Sequence, residues 1–198
     1  METVAAPRER LLNAAVDYVS EHGIGDVSLR RLAEAIGTSH RMLIYHFGSR
    51  TGLLVAVAQE VEERQRVAMA ELDSAPDASP EEVGRAMWRR LADESLWPLE
   101  RSFFELYGQA LQGREHATPL LEGVVDDWLD LGTEIAIRGG ADPATARAEA
   151  RLGLAVVRGL LLDLLATGDR EGVDQAIELF FELSSDRRTR RAASSSRP

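Results

Sequence analysis

The sequence predicts an all-α protein, and two observations support this fold class. Apolar residues recur at helical spacing along nearly the whole chain, with turn-forming residues between the runs, and no stretch alternates as a strand would. Residues 28–47 have, in addition, the pattern of two short helices separated by a tight turn. We therefore expect an N-terminal three-helix domain that contains a helix-turn-helix, followed by a six-helix domain.

The helix-turn-helix pattern begins with a short amphipathic helix. Its apolar face consists of Leu29, Leu32, Ala33 and Ile36. Gly37 then supplies a turn residue that can adopt a positive φ, and Ser39 stands at the N-cap position of the second helix. Leu43 and Phe47 should face inward in that second helix, so its outer side should carry His40, Arg41 and Tyr45. A helix presented in this way fits the major groove of DNA.

The residues around this pattern extend it over about residues 8–54. An amphipathic helix at 10–23 comes first, a turn at 24–29 follows, and the segment closes with the run HFGSRTGLL at 46–54. In these features the chain resembles the tetracycline-repressor (TetR) family of bacterial transcription regulators. The resemblance implies a DNA-binding domain at the N-terminus and a helical regulatory part after it.

The resemblance also implies a set of DNA contacts around the second helix of the motif. The residues that match the family's DNA-contacting positions are Thr38, Ser39, His40, Arg41, Tyr45, His46 and Arg50. Ile44 replaces a usual tyrosine, and Arg41 and Met42 replace small residues or threonine, so the base-reading surface is atypical. Tyr45 becomes a candidate for contact with a phosphate, and Arg41 becomes a candidate for a bidentate pair of hydrogen bonds to guanine. The alternative for these side chains is a solvated surface, or packing in the case of His46.

The net charge of −10 is unevenly distributed along the chain. Residues 51–185 carry twelve arginines against twenty-six acidic residues, whereas residues 27–50 carry four arginines and one acidic residue. The acidic part therefore lies away from the expected DNA contacts. The modest local excess of positive charge suits contact with phosphates, and the acidic remainder should repel non-specific DNA.

Six further helices are predicted after residue 50, separated by turn signals rich in glycine and proline. Their expected ranges are 51–73, 80–95, 99–112, 119–138, 143–166 and 171–184. We expect a DNA-binding domain at 1–50, a ligand-binding and dimerisation domain at 51–185, and a disordered basic tail at 186–198. The tail is expected to be disordered because it carries five arginines and three consecutive serines without an apolar period.

The last two predicted helices are the best candidates for self-association. Apolar residues occur on nearly every face of residues 152–166, so this helix needs two apolar neighbours. The candidate dimerisation residues are Leu152, Val156, Gly159, Leu160, Asp163, Val173, Ile177 and Phe180. By pattern alone, burial within one subunit is an equal alternative. The family resemblance favours a homodimer through a four-helix bundle, and a two-fold dimer implies a palindromic operator.

Aromatic side chains are concentrated in the central part of the chain. Candidates for lining an effector pocket are Trp88, Phe103, Phe104, Tyr107 and Trp128. The alternative for each is ordinary core packing. The predicted helix at 51–73 begins beside the DNA-binding helices and ends among the central ones, so a small molecule beside it could tilt the recognition helices apart.

Other classes of protein find little support in the sequence. The absence of cysteine excludes disulfides and thiol catalysis. The four histidines, at 22, 40, 46 and 116, form no paired metal spacing, and neither a nucleophile elbow nor a phosphate-binding glycine loop is present. We therefore expect no catalysis, cofactor or metal and, without a signal peptide or a membrane span, a cytoplasmic protein.

The function expected from the sequence is that of a sequence-specific DNA-binding transcriptional regulator. The favoured form is a homodimeric repressor of a palindromic operator that is released by a small-molecule ligand. The sequence is also compatible with two alternatives. One is a regulator that needs no ligand, and the other is an acidic helical protein-interaction module without specific DNA binding.

Overall fold

The computed structural model describes residues 7–22, 28–74 and 79–195, with side chains described up to Arg190. Within these ranges it contains helices and no strand, which confirms the all-α prediction. Three α-helices precede residue 50 and six follow it. They are α1 (Pro7–His22), α2 (Leu29–Ala35), α3 (His40–Phe47), α4 (Arg50–Asp73), α5 (Pro80–Leu91), α6 (Trp97–Leu111), α7 (Asp126–Arg138), α8 (Pro143–Thr167) and α9 (Arg170–Ser195), with short 3-10 helices at Glu94–Leu96 and Thr118–Leu121.

Local chemistry explains where several of these helices begin and end. Ser79 and Glu82 form a reciprocal capping box at the start of α5, in which each side chain accepts a hydrogen bond from the other residue's backbone N–H. The Asp142 side chain accepts a hydrogen bond from the Ala144 N–H at the start of α8. Gly168 ends α8 in the left-handed conformation, at φ 72°.

Two predicted helices are interrupted in the structure. The range 119–138 was expected to be one helix, but a 3-10 turn comes first and α7 begins only at Asp126. Gly123 between them has φ 72°, a left-handed conformation that no α-helix contains. The range 80–95 likewise ends early, at Leu91, because the chain turns at Ala92 and continues into a 3-10 helix before α6 begins at Trp97, with Pro98 in its first turn.

The last helix is longer than predicted. The expected helix ended at residue 184 and was followed by a disordered tail at 186–198, whereas α9 continues to Ser195. Ion pairs hold this extension: the Arg188 guanidinium pairs with Glu81, and that of Arg187 lies 3.7 Å from Glu149. These partners come from distant parts of the sequence, so local composition does not reveal them. Residues 196–198 lie outside the described residues, as do residues 24–27 of the predicted turn at 24–29.

The chain forms two compact units that share α4. The first contains α1–α3, residues 50–64 of α4, α6 and both 3-10 helices. The second contains the rest of α4 with α5, α7, α8 and α9. The predicted boundary at residue 50 separates two expected functions and remains a prediction, because the compact units place α1–α3 together with α6.

Each unit has its own apolar core. In the first, α1 packs against α2 and α6, and its buried residues are Leu12, Ala15, Val16 and Val19. In the second, α8 packs against α7 and α9, and α5 also contacts α9. The least exposed large side chains there are Val83, Leu129, Leu164 and Ile177. None of the helices within the described ranges combines the length and apolar character that crossing a membrane requires.

Candidate nucleic-acid interface

The turn between α2 and α3 is built from residues that specify each helix end. Ser28 caps α2, and its Oγ accepts a hydrogen bond from the Arg31 N–H at 3.3 Å. Gly37 takes φ 70° in the turn, a conformation that favours glycine. Ser39 then caps α3, and its Oγ accepts from the Met42 N–H at 3.2 Å. The direction of α3 is therefore determined locally, as the sequence predicted.

The inner side of α3 anchors this helix in the core of the first unit. Leu43 is completely buried, and Phe47 is nearly so. The Arg8 guanidinium of α1 stacks over the Phe47 ring, 5.1 Å from its centre. Sequence reasoning missed Arg8, because nothing in the pattern pairs a residue of the first helix with one forty positions later.

The outer side of α3 faces solvent. Tyr45 has 78% of its surface exposed, and His40 and Arg41 are exposed as well. Ser39 is also exposed, and Thr38 is half-buried at the turn. The structure thus brings together on one surface the predicted contact residues of the turn and of the recognition helix.

His46 differs from the other predicted contact residues. It is half-buried between Tyr45 and Phe47, with ring centres 5.0 and 6.3 Å away. Its Nε2 atom is buried and has no hydrogen-bond partner among the described residues. This environment favours the packing role for His46. Its contact with phosphate remains a prediction.

The connection from α3 to α4 brings Arg50 to the same end of the unit. Gly48 ends α3 at φ 75°, and the Ser49 Oγ accepts a hydrogen bond from the Gly52 N–H at 2.9 Å. Arg50 is then the first residue of α4, and it is exposed. A Cβ atom on Gly52 would lie 2.2 Å from the Phe47 carbonyl oxygen, so this close approach requires glycine.

Positive charge dominates the exposed surface of α2, α3 and the start of α4. All four arginines of residues 28–50 are exposed, and the single acidic residue, Glu34, is exposed with them. An arginine side chain stays protonated at any physiological pH and can bind phosphate or guanine through two parallel hydrogen bonds. The surface therefore has the charge and the donor groups that a polyanion requires.

Comparison with known proteins identifies the motif. The family model described as bacterial regulatory proteins, tetR family, matches residues 11–57, which span most of α1, all of α2 and α3, and the start of α4. This N-terminal part of the chain is therefore a helix-turn-helix of the tetR type. The chain as a whole is a DNA-binding transcriptional regulator.

Two curated transcriptional regulators and one solved structure are similar to the chain in sequence or in fold. The HTH-type transcriptional regulator BetI of Pseudomonas paraeruginosa (strain DSM 24068 / PA7) is 26% identical over 178 residues, which make up 88% of this chain and 89% of BetI. The HTH-type transcriptional repressor AcnR of Corynebacterium glutamicum is 38% identical over 53 residues, 27% of this chain and 28% of AcnR. A transcriptional regulator from Rhodococcus sp. Rha1 shares the fold, with a TM-score of 0.69 at 19% identity over 90% of this chain and 95% of that one.

The aromatic residues predicted for effector binding are divided between the two units. In the first unit, Phe103 and Tyr107 stack with ring centres 5.5 Å apart, and Phe104 meets Phe103 edge to face. Trp88 and Trp128 belong to the second unit. Trp88 is buried there, and its indole N–H donates a 2.7 Å hydrogen bond to Asp174, which is a core arrangement. Effector contact by any of the five remains a prediction.

A small cavity in the first unit lies between α4 and α6. Its lining is mostly apolar and includes Val57, Val61, Leu99 and Phe103. Two buried carboxylates, Glu62 and Glu100, also line it, and sequence reasoning missed both. The open space inside is no larger than about one water molecule. A ligand larger than that requires α4 and α6 to move apart.

The predicted dimerisation residues fall into two groups. Val173 and Ile177 are buried in the core of the second unit, so they are unavailable to a partner copy and the prediction is corrected for them. The remaining six are exposed or half-buried, namely Leu152, Val156, Gly159, Leu160, Asp163 and Phe180. Three further leucines on the same two helices, which were not among the predicted dimerisation residues, are more than half exposed: Leu162, Leu179 and Leu183.

No group of three or more metal-ligating side chains comes together in the part of the chain that the structure describes.

Proposed function

We propose that the protein is a homodimeric repressor that binds a palindromic operator through α3 and is released by a small-molecule effector. The main support for the proposal is the orientation of α3. The outer side of α3 presents His40, Arg41 and Tyr45 to solvent, while Leu43 and Phe47 hold its inner side in the core. A short helix that is rigidly anchored and carries exposed cationic and polar groups fits the major groove.

The roles of the individual side chains follow from their chemistry. Arg41 can donate two hydrogen bonds to N7 and O6 of a guanine, and Tyr45, one turn further along, can reach a phosphate through its hydroxyl. Thr38 and Ser39 lie at the N-terminus of α3, where the helix dipole favours a phosphate. Arg50 adds a phosphate contact from the start of α4.

An exposed apolar face on α8 and α9 supports the homodimer. Leu152 and Leu162 on α8, and Leu179 and Leu183 on α9, are each more than half exposed. Exposed leucines at such positions are costly in water and stable when a second copy covers them. A two-fold pair of subunits presents two copies of α3, so the operator should contain two inverted half-sites.

The dimer proposal is tested by introducing charge on this face. Leu162→Glu and Leu179→Glu should each shift the protein toward monomer in sedimentation analysis and weaken operator binding. Leu111→Glu is the matched control, because Leu111 is exposed on α6 of the other unit. A Leu179→Glu variant that remains dimeric contradicts the proposed interface.

The effector is proposed to act through α4. Within the first unit, α4 follows α3 directly, and its Arg64 donates a 2.5 Å hydrogen bond to Asn13 of α1. A molecule that enters the cavity between α4 and α6 must push α4 aside and so move it against the DNA-binding helices. The effector is expected to bind this shifted conformation better than the DNA-bound one.

Release is tested by screening small molecules for thermal stabilisation of the protein and then measuring operator affinity with each stabilising compound. A compound of the expected kind raises the melting temperature and lowers operator affinity. Compounds that saturate the protein and leave operator affinity unchanged contradict the proposed release. A repressor acts on the chromosome, so the proposed location is the cytoplasm.

The DNA-reading role is tested with a double variant, Arg41→Ala combined with Tyr45→Ala. Both side chains are exposed, so the variant should fold and dimerise normally while losing affinity for a duplex recovered by selection at a stated salt concentration. Arg114→Ala, at an exposed position after α6, is the matched loss of charge and should bind as the wild type does. Unchanged binding by the double variant would favour the alternative of an acidic protein-interaction module.

A further inference from the structure

The outer surface of α3 carries apolar side chains as well as polar ones. Met42 is 40% exposed and Ile44 is 36% exposed, and Tyr45 beside them is the most exposed large hydrophobic residue of the described chain. Burial of Leu43 accounts for the inner side of the helix but leaves these side chains in water. An exposed apolar side chain beside Arg41 is stabilised if it contacts an apolar group of the DNA.

The helical geometry places these side chains around a central ridge. Arg41 and Tyr45 are four residues apart, so they lie one above the other along the helix. Met42 lies on one side of this ridge and Ile44 on the other, because successive residues are about 100° apart around the axis. If Arg41 and Tyr45 face the base edges, Met42 and Ile44 lie on either side of them within the major groove.

The major groove offers one apolar group to such side chains. Guanine, cytosine and adenine present hydrogen-bonding atoms there, and only thymine presents a methyl group, at C5. Met42 and Ile44 have no strong donor or acceptor, so a methyl contact is the way in which they can read sequence. Methionine reaches through three flexible bonds, whereas isoleucine is stiff, so Ile44 should be the more selective for position.

We propose that Met42 and Ile44 are specificity-determining residues that read thymine through its C5-methyl group on either side of the base contacted by Arg41. This inference rests on the proposed DNA-reading role of α3 and adds the class of base edge that flanks it. It also gives a function to the two exposed apolar side chains of α3.

The test replaces thymine by uracil, which pairs identically but lacks the methyl group. A palindromic duplex recovered by selection is synthesised with deoxyuridine at one thymine position of both half-sites, and Kd is measured at fixed salt. Burial of one methyl group is worth about fourfold in affinity. The substitution should therefore weaken wild-type binding by about fifteenfold at a contacted position, and leave it unchanged elsewhere.

The variants assign the effect to the side chains. Met42→Ala or Ile44→Ala should bring the thymine-to-uracil ratio at its own position close to one while sequence-specific binding persists. Leu111→Ala removes an equally apolar, exposed side chain from α6 and should keep the full ratio. The variants also control for any effect of uracil on the shape of the DNA.

Three results would overturn the inference: a half-site without thymine, a wild-type protein indifferent to every uracil substitution, or a ratio that persists in both variants. The second would mean that the apolar side chains contact sugars, which carry no sequence information. Each leaves specific binding of the selected duplex intact. Failure of the proposed function can be distinguished from these results, because in that case the selection would recover no specific duplex.

Discussion

Gly52 provides a test of how tightly the DNA-reading helix is coupled to α4. A Cβ atom at this position would lie 2.2 Å from the Phe47 carbonyl oxygen, whereas ordinary contacts begin at 3.4 Å. Gly52→Ala therefore requires the start of α4 to shift by about 1 Å relative to the end of α3. Forcing extra atoms into a packed site costs about 1–3 kcal/mol, so we expect a loss of stability of that size.

The same shift displaces Arg50 from its position beside α3, so operator affinity should fall together with stability. The matched variant is Gly108→Ala, because Gly108 lies within α6 and a Cβ there meets nothing within 4 Å. That change should stabilise the protein by about 0.5–1 kcal/mol and leave DNA binding unchanged. Urea denaturation and fluorescence anisotropy with a selected duplex measure both quantities. Gly52→Ala with wild-type stability and affinity would show that α3 and α4 are not coupled through this close contact.

Three further variants test other parts of the structure. Asp174→Ala leaves the buried indole N–H of Trp88 without its 2.7 Å partner, so urea denaturation should show a loss of about 1–3 kcal/mol; a change below about 0.5 kcal/mol would contradict the assigned bond. Leu43→Ala should cost about 2–5 kcal/mol and weaken DNA binding without removing any DNA-facing group, so unchanged stability would argue against its anchoring role. The hydrogen bonds donated by Ser79 lower the pKa of Glu82, so this cap stabilises the protein above the ordinary glutamate pKa and weakens as pH falls through the lowered value. Ser79→Ala removes the hydroxyl donor, and NMR titration should show the Glu82 pKa rising; an unmoved pKa would exclude the hydroxyl as a cause.

Local sequence determines the geometry of the helix-turn-helix, which is why this geometry could be predicted from the sequence. The cap at Ser39, the positive φ at Gly37 and the buried side of Leu43 each depend on residues within one or two helical turns. Neighbouring residues of this kind leave their signal in a short stretch of sequence. The burial of Leu43 also determines which side chains of α3 face solvent, because residues on the opposite side of the helix must then be exposed.

Other features depend on contacts between distant segments and left no local signal. Helical periodicity marks α9 as apolar but does not say which apolar residues face the core, so Val173 and Ile177 were assigned to the wrong surface. The extension of α9 depends on partners such as Glu81, about a hundred residues earlier. The buried carboxylates Glu62 and Glu100 were missed because a charged residue on a helix is usually solvated.

The central claim is that the outer face of α3 reads a specific operator as part of a two-fold dimer. The most direct measurement is selection of bound DNA from a pool of random duplexes at near-physiological salt, followed by sequencing. We expect a palindrome whose half-sites are centred about one helical turn apart, or a multiple of that, and whose enrichment disappears with the Arg41→Ala, Tyr45→Ala variant. A folded, dimeric protein that enriches no sequence would show that α3 does not read an operator.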